Sequence, residues 1–274
     1  SGADRPVLDT KIMAQKGSKV NKIQRFISLC EKNTISHAIF LTLFVFWHDY
    51  FLLKKSSPAV LRQGCHSQAR AFVLGAGAAE LIYAYCDALR PKKIAELAPT
   101  FSEYSAAAAH FGASVARFSL HAPNFAPDET LFSFLESEKP DALFLCTPNN
   151  PTGKTIPRAL LESVLQQCKK QHTHVLLDEC FLDFTDEKSA RDLLPQFENL
   201  LILKAFTKNF ALAGARVGYC LTENHALLRK MSQSSQPWNV CLPAQAAGVA
   251  ALLEWSWVLR ARKIVREERT FLSQ

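Results

Sequence analysis

The chain has 274 residues, 48% hydrophobic and 21% charged, a balance that excludes disordered, collagen-like and simple coiled-coil chains. Its 32 Lys and Arg exceed its 25 Asp and Glu by seven, but residues 1–70 hold 11 basic and 4 acidic residues while residues 71–274 hold 21 of each. The pI near 9.0 thus describes an arm and not the body, and it does not argue for a nucleic-acid partner.

In chain order, residues 1–70 form an atypical basic and apolar segment with no clean periodicity. The start is polar and lacks the layout of a signal peptide. Ala38–Trp47 is almost unbroken apolar sequence, but a membrane span needs about 20 such residues. His37 stands at one end, and His48 and Asp49 interrupt the other. A buried helix and an interfacial segment both remain open readings of this run. The basic arm itself reads as a solvated tail.

From residue 71 the pattern changes. Apolar runs of strand length are expected near Ala71–Leu74, Ile94–Ala98, Ser114–Leu120, Ala142–Cys146, His174–Leu177, Leu200–Ala205 and Arg216–Leu221. Amphipathic helices are expected between them, near Ala78–Leu89, Ser102–His110, Glu129–Ser137, Arg158–Gln171 and His225–Ser232. One long helix is expected from Leu242 to the C-terminus. This alternation predicts an α/β fold with a mainly parallel sheet covered on both faces. Residues 71–241 would form one large domain and residues 242–274 a helix leading out of it. None of the eight cysteines forms a C-x-x-C pair, and no Cys/His spacing suits zinc, so no metal is expected. Free thiols in a reducing cytoplasm are the simplest reading.

Four stretches at the expected carboxyl ends of strands carry chemistry, the place where open α/β sheets bind ligands. Gly75-Ala76-Gly77-Ala78-Ala79-Glu80 joins a strand to a helix, and small residues there let backbone amides approach an anion. A phosphate cradle, a bare structural turn and a dinucleotide site all fit it. The last is weakened because Glu80 stands where a third glycine belongs. Cys146 to Gly153 (CTPNNPTG) is a turn whose prolines hold the Asn149 and Asn150 amides rigidly. Asp178 ends an apolar strand in VLLDECFLDF. It is expected to be buried, as a cap, as part of an ion pair or as the anchor of a cationic ligand nitrogen. Lys208 lies in AFTKNFALAGARVGY between apolar neighbours, which predicts a desolvated amine able to attack carbonyls. Arg216 follows eight residues later and suits a bidentate phosphate contact. In combination the four stretches describe a socket for a phosphorylated pyridine aldehyde.

GAGAAELI, APTFSEY, TPNNPTG, DECFLDF, AFTKNFALAGARVGY and QPWNVCLPAQAAG resemble the fold-type-I pyridoxal-phosphate enzymes of the class I/II aminotransferase family, over about residues 71–269. Within that family they are most similar to histidinol-phosphate aminotransferases and threonine-phosphate decarboxylases. DECFLDF and the QPWNV stretch lean toward the decarboxylases. The resemblance implies pyridoxal 5'-phosphate as cofactor, bound through a Schiff base to Lys208. It further implies Asp178 on the pyridinium nitrogen, Asn150 on the phenolic oxygen and Phe101 against the ring. The amides of Ala78 and Ala79, with Arg216, would hold the phosphate. Lys208 would also move the Cα proton in a transamination. The substrate would be an amino acid or amino-acid phosphate, and the protein a cytoplasmic homodimer with no nucleic-acid or membrane partner.

Two departures stand out: Ala205 occupies a position where many members have a phosphate-binding Ser, and Phe181 replaces a Tyr that often contacts the phenolic oxygen. The family's N-terminal features are not found in residues 1–65, and the arginine for the substrate carboxylate has no counterpart. The small C-terminal domain is therefore expected to be largely absent, with a foreign N-terminal stretch fused to the cofactor domain. This leaves two alternatives beside the enzyme: a catalytically inactive remnant of the fold, and a membrane-surface or interaction protein.

Overall fold

A computed structural model describes residues 72–272. The basic arm, the Ala38–Trp47 run, Cys30 and Cys65 lie outside the described residues. Seven strands form one sheet: β1 (Phe72–Gly75), β2 (Lys93–Ala98), β3 (Ser114–Ser119), β4 (Ala142–Cys146), β5 (His174–Asp178), β6 (Leu200–Ala205) and β7 (Gly218–Leu221). Their order is β1-β7-β6-β5-β4-β2-β3. The pairs from β3 through β6 are parallel, and β7 runs antiparallel to both β6 and β1. The central strands ALFLC, HVLLD and LLILKA are apolar runs covered on both faces, as parallel strands between helices must be.

The two-residue period of the strands sorts their side chains into two cores. Phe144, Leu176, Leu201 and Leu203 face the helices α1 (Ala78–Leu89), α2 (Glu103–His110) and α5 (His225–Ser234), packing with Leu81, Tyr85, Tyr104 and Leu228. Leu143, Leu145, Val175, Leu177 and Ile202 face the other side. There they meet α3 (Thr130–Glu138), α4 (Arg158–Lys170) and α6 (Leu242–Leu253) through Leu131, Leu165 and Ala244. At the strand ends the same alternation places Asp178 and Ala205 on the first face and Lys204 on the second, and one residue further Glu179 also falls on the second.

The expected single helix from Leu242 onward is two helices, α6 and α7 (Trp255–Leu272). Glu254, at φ −108 and ψ 48, leaves the helical region between them. The helices follow different supports. Gly248 of α6 brings that helix to Val217 and Phe206, while α7 buries Val258 and packs on the 3-10 turn Leu182–Phe184. The last strand begins at Gly218, because Arg216 is in the left-handed region at φ 55 and belongs to the preceding turn. Among the described residues no helix is long and apolar enough to cross a membrane. Cys86, Cys146, Cys168, Cys180 and Cys220 are free and buried, and Cys241 is free and exposed.

Candidate active site

One cavity of about 160 Å3 at the carboxyl ends of the strands is lined by Ala78, Ala79, Phe101, Asn150, Asp178, Lys208 and Arg216, together with Tyr104, Cys146, Cys180, Phe181, Ala205 and Thr207. All seven residues singled out from the sequence therefore meet in one place. They come from the loops after β1, β2, β4, β5 and β6, at the crevice where open parallel sheets take ligands.

At one end of the cavity α1 begins. Its N-cap is Gly77, at φ 87, a conformation that glycine adopts without strain, and glycine has no side chain to cap the helix. The Arg216 guanidinium lies directly over it: a Cβ at Gly77 would stand 2.5 Å from Nη2. Gly218 closes the cradle from below, since a Cβ there would stand 2.8 Å from the Ala78 amide nitrogen. The Ala76 amide donates to the Glu80 carboxylate, and Asn239 donates to both Glu80 oxygens at 3.1 and 2.9 Å. Glu80 is thus engaged with the loop backbone, and the first amides of α1 and the arginine remain for an anion.

At the other end is Asp178, only 5% exposed. The Tyr104 hydroxyl donates to its Oδ2 at 2.7 Å and the Cys180 amide to its Oδ1 at 2.8 Å. Among the described residues no cationic side chain forms an ion pair with it. Burial, followed by the Asp178 charge, pushes the Tyr104 hydroxyl well above its ordinary pKa, so it stays a proton donor. Burial pushes the neighbouring Cys146 thiol up to about 12. Tyr104 is held by stacking on Phe144 at 5.4 Å and by the edge of Phe101 at 5.6 Å.

The two asparagines of the TPNNPTG loop divide the work. Asn149 is buried and accepts from the Thr100 hydroxyl at 2.7 Å. It donates to the Pro99 carbonyl at 2.9 Å and to Thr152 Oγ1 at 3.1 Å. It clips the loop carrying Phe101 to the loop carrying Asn150, whose side chain is left for the cavity.

Lys208 corrects the expectation of a buried amine. It is exposed, on the turn after β6, and its Nζ lies 5.1 Å from the centre of the Phe181 ring. Apolar neighbours in sequence did not bury it, because Phe206 and Phe210 turn away to stack on each other at 5.3 Å. The buried lysine is Lys204, four residues earlier and on the opposite face. Its Nζ is 3.1 Å from Asp183 Oδ1 and 3.6 Å from Glu179 Oε2. Burial alone would lower the Lys204 ammonium, but the Glu179 and Asp183 carboxylates outweigh burial and raise it. Lys204, Glu179 and Tyr104 were given no role in the sequence reading. Lys204 had a legible signal: it is the lone charge in LLILKA, on the face opposite Asp178.

One cavity thus offers an anion cradle, a carboxylate for a protonated nitrogen and a primary amine for a carbonyl, which is the chemistry of a cofactor-binding α/β protein. The family model described as aminotransferase class I and II matches residues 59–274. The threonine-phosphate decarboxylase of Salmonella typhimurium is 32% identical over 225 residues, covering 80% of this chain and 60% of that protein. The histidinol-phosphate aminotransferase 2 of Archaeoglobus fulgidus is 30% identical over 231 residues, covering 82% and 63%. The crystal structure of the histidinol-phosphate aminotransferase from Clostridium acetobutylicum superposes with a TM-score of 0.71 at 27% identity, covering 82% of this chain and 66% of that one. The chain belongs to the class I and II aminotransferase family, and it spans less than two thirds of the length of these relatives.

The family's cofactor is pyridoxal 5'-phosphate, and the residues present fit it. A buried carboxylate supplied only with neutral donors calls for a cationic nitrogen, and the capless helix start under Arg216 calls for a phosphate.

Proposed function

We propose that this chain binds pyridoxal 5'-phosphate in the cavity between Arg216 and Asp178 and acts on an amino acid or an amino-acid phosphate. The observation that carries the reading is Asp178, a carboxylate 5% exposed that accepts two hydrogen bonds and has no cationic partner among the described residues. When bound, the cofactor supplies an aldehyde for amines and a cationic ring that accepts electrons from a substrate's Cα.

The chain's own residues then have distinct tasks. Asp178 would keep a proton on the ring nitrogen, and Tyr104 and the Cys180 amide hold that carboxylate in place. The amides of Ala78 and Ala79 and the Arg216 guanidinium bind the phosphate. Phe101 and Asn150 line the cavity and would hold the cofactor's ring and its phenolic oxygen. Lys208 would supply the primary amine that holds the cofactor's aldehyde and the group that takes a proton from a substrate's Cα. Ala205 and Phe181 add no hydroxyl on their sides of the cavity. Assembly as a homodimer is part of this proposal. It is supported by the apolar side chains left open along α7, among them Trp257, Leu259 and Phe271.

The test is the absorption spectrum of the full chain with and without the cofactor, followed by borohydride trapping and peptide mass spectrometry. A coloured complex trapped on Lys208 and lost in Lys208→Ala is the expected result; a colourless chain with no adduct at Lys208 overturns the reading. Turnover assays with threonine phosphate and histidinol phosphate then separate decarboxylation from transamination.

A further inference from the structure

We propose that Asn209, gripped by Asp183 above the buried Lys204, is a positioning residue that fixes the Lys208 amine at the mouth of the cavity. The inference rests on the cofactor reading above. Lys208 is exposed on a turn, and its Nζ forms no ion pair among the described residues. A free lysine side chain carries about 2 kcal/mol of rotamer entropy, and reacting groups misplaced by about 1 Å can lose 100-fold in rate. An exposed amine needs a fixed root if it is to meet a carbonyl held elsewhere.

The next residue supplies the root. Asn209 is 4% exposed, and its Nδ2 donates to Asp183 Oδ2 at 2.7 Å. The other Asp183 oxygen takes Lys204 Nζ at 3.1 Å. Lys204 belongs to the strand β6, buried along its whole length, so the turn is tied by side chains to the buried sheet. The backbone adds a second hold, since the Ala211 amide donates to the Lys208 carbonyl at 3.2 Å and the Leu212 amide to the Phe206 carbonyl at 3.2 Å. Residues 181–183 thus meet Lys208 from two sides: Phe181 offers its ring face to the ammonium, and Asp183 holds the neighbouring side chain.

Packing alone does not account for an asparagine here. Its Oδ1 is buried with no hydrogen-bond partner among the described residues, and Asn209 lines a cavity of about 30 Å3 with Arg191, Lys204 and Trp255. A buried unsatisfied carbonyl costs about 1–3 kcal/mol unless a water fills the space, and a leucine would avoid that cost. The amide earns its place through the donor it offers Asp183.

The step affected is condensation of the Lys208 amine with an aldehyde. One C=N bond forms, and the carbonyl oxygen leaves as water with the two amine hydrogens. The experiment uses the full chain and pyridoxal 5'-phosphate. It measures total cofactor bound by equilibrium dialysis, and covalent capture at Lys208 by timed borohydride trapping and mass spectrometry. In Asn209→Ala, total binding is expected to stay within about threefold of wild type, because the cradle and Asp178 are untouched, while the capture rate falls about tenfold or more. Asn209→Ser retains a short donor and recovers part of the rate; it also serves if the alanine variant does not fold. Capture at the wild-type rate in both variants overturns the proposal. So does a loss of capture that only mirrors a loss of total binding. A wild-type chain that binds no cofactor, or traps it elsewhere, instead removes the reading on which the proposal rests.

Discussion

Asp178 and Glu179 are neighbours in the chain and opposites in their surroundings. Asp178 turns to the face of α1 and α2, where it accepts from a tyrosine hydroxyl and one amide and meets no cation among the described residues. Glu179 turns to the other face. There Lys204 stands 3.6 Å from it, and the Ser189 hydroxyl and Ala190 amide donate to its two oxygens at 2.6 and 2.7 Å. One carboxylate is closed by the protein itself and the other is left one charge short. Burial of an ion is tolerable only with a partner, so the closed side reads as structure and the open side as a binding site.

The largest effect expected from this contrast lies on the closed side. Lys204→Met leaves the buried Glu179 and the partly buried Asp183 without this cation, a change that costs about 3–5 kcal/mol. For a body of this size the melting temperature should fall by about 10 °C. The pH dependence sharpens the point. The folded Lys204 ammonium is raised above its unfolded value of about 10.4. Its stabilisation is fully present below that pH and is lost as pH rises through the higher folded value. Thermal melts from neutral to alkaline pH should show this loss in wild type, and the difference between the two proteins should shrink there. Equal melting temperatures at neutral pH would break the comparison.

On the open side, Asp178→Asn should have the reverse profile. It removes a buried charge that lacks a cation, so the melting temperature of the cofactor-free chain should hardly change. Cofactor retention should weaken about 30-fold or more, since losing one partner of a desolvated charge pair costs about 2–5 kcal/mol. Dialysis and thermal melts on the same samples separate the two readouts. A large drop in stability with unchanged retention would place Asp178 on the structural side after all.

The sequence disclosed the fold through the apolar runs of β4, β5 and β6, whose burial on both faces follows from composition alone. It disclosed the site because each motif sits at the end of such a run, and strand ends converge in space. It misjudged Lys208, because apolar neighbours in sequence do not bury a residue on a turn whose aromatics pack against each other. It passed over Lys204 and Asp183, which lie 21 positions apart and meet only through strand pairing. Tyr104 was visible as a letter in APTFSEY, but its bond to Asp178 spans 74 positions and depends on α2 packing over the sheet. The split between Asn149 and Asn150 was equally hidden, since two identical side chains in a turn differ only in which way the backbone aims them.

Tyr104 gives the smallest expected effect and the finest probe of the open side. Its hydroxyl donates to Asp178 Oδ2 at 2.7 Å in a buried setting, and hydrogen bonds to charged groups contribute about 1.5–3 kcal/mol. Tyr104→Phe keeps the ring, its stacking on Phe144 and its contact with Phe101. The fold should therefore survive, with Asp178 holding one neutral donor instead of two. If the hydroxyl serves mainly to aim the carboxylate at a ring nitrogen, cofactor retention should weaken by about tenfold, less than in Asp178→Asn. The same variant should not alter the alkaline melting behaviour assigned to Lys204, since the two sit on opposite faces of the sheet. A shift in that behaviour would mean that the faces are coupled and that the neighbouring carboxylates cannot be treated as separate sites.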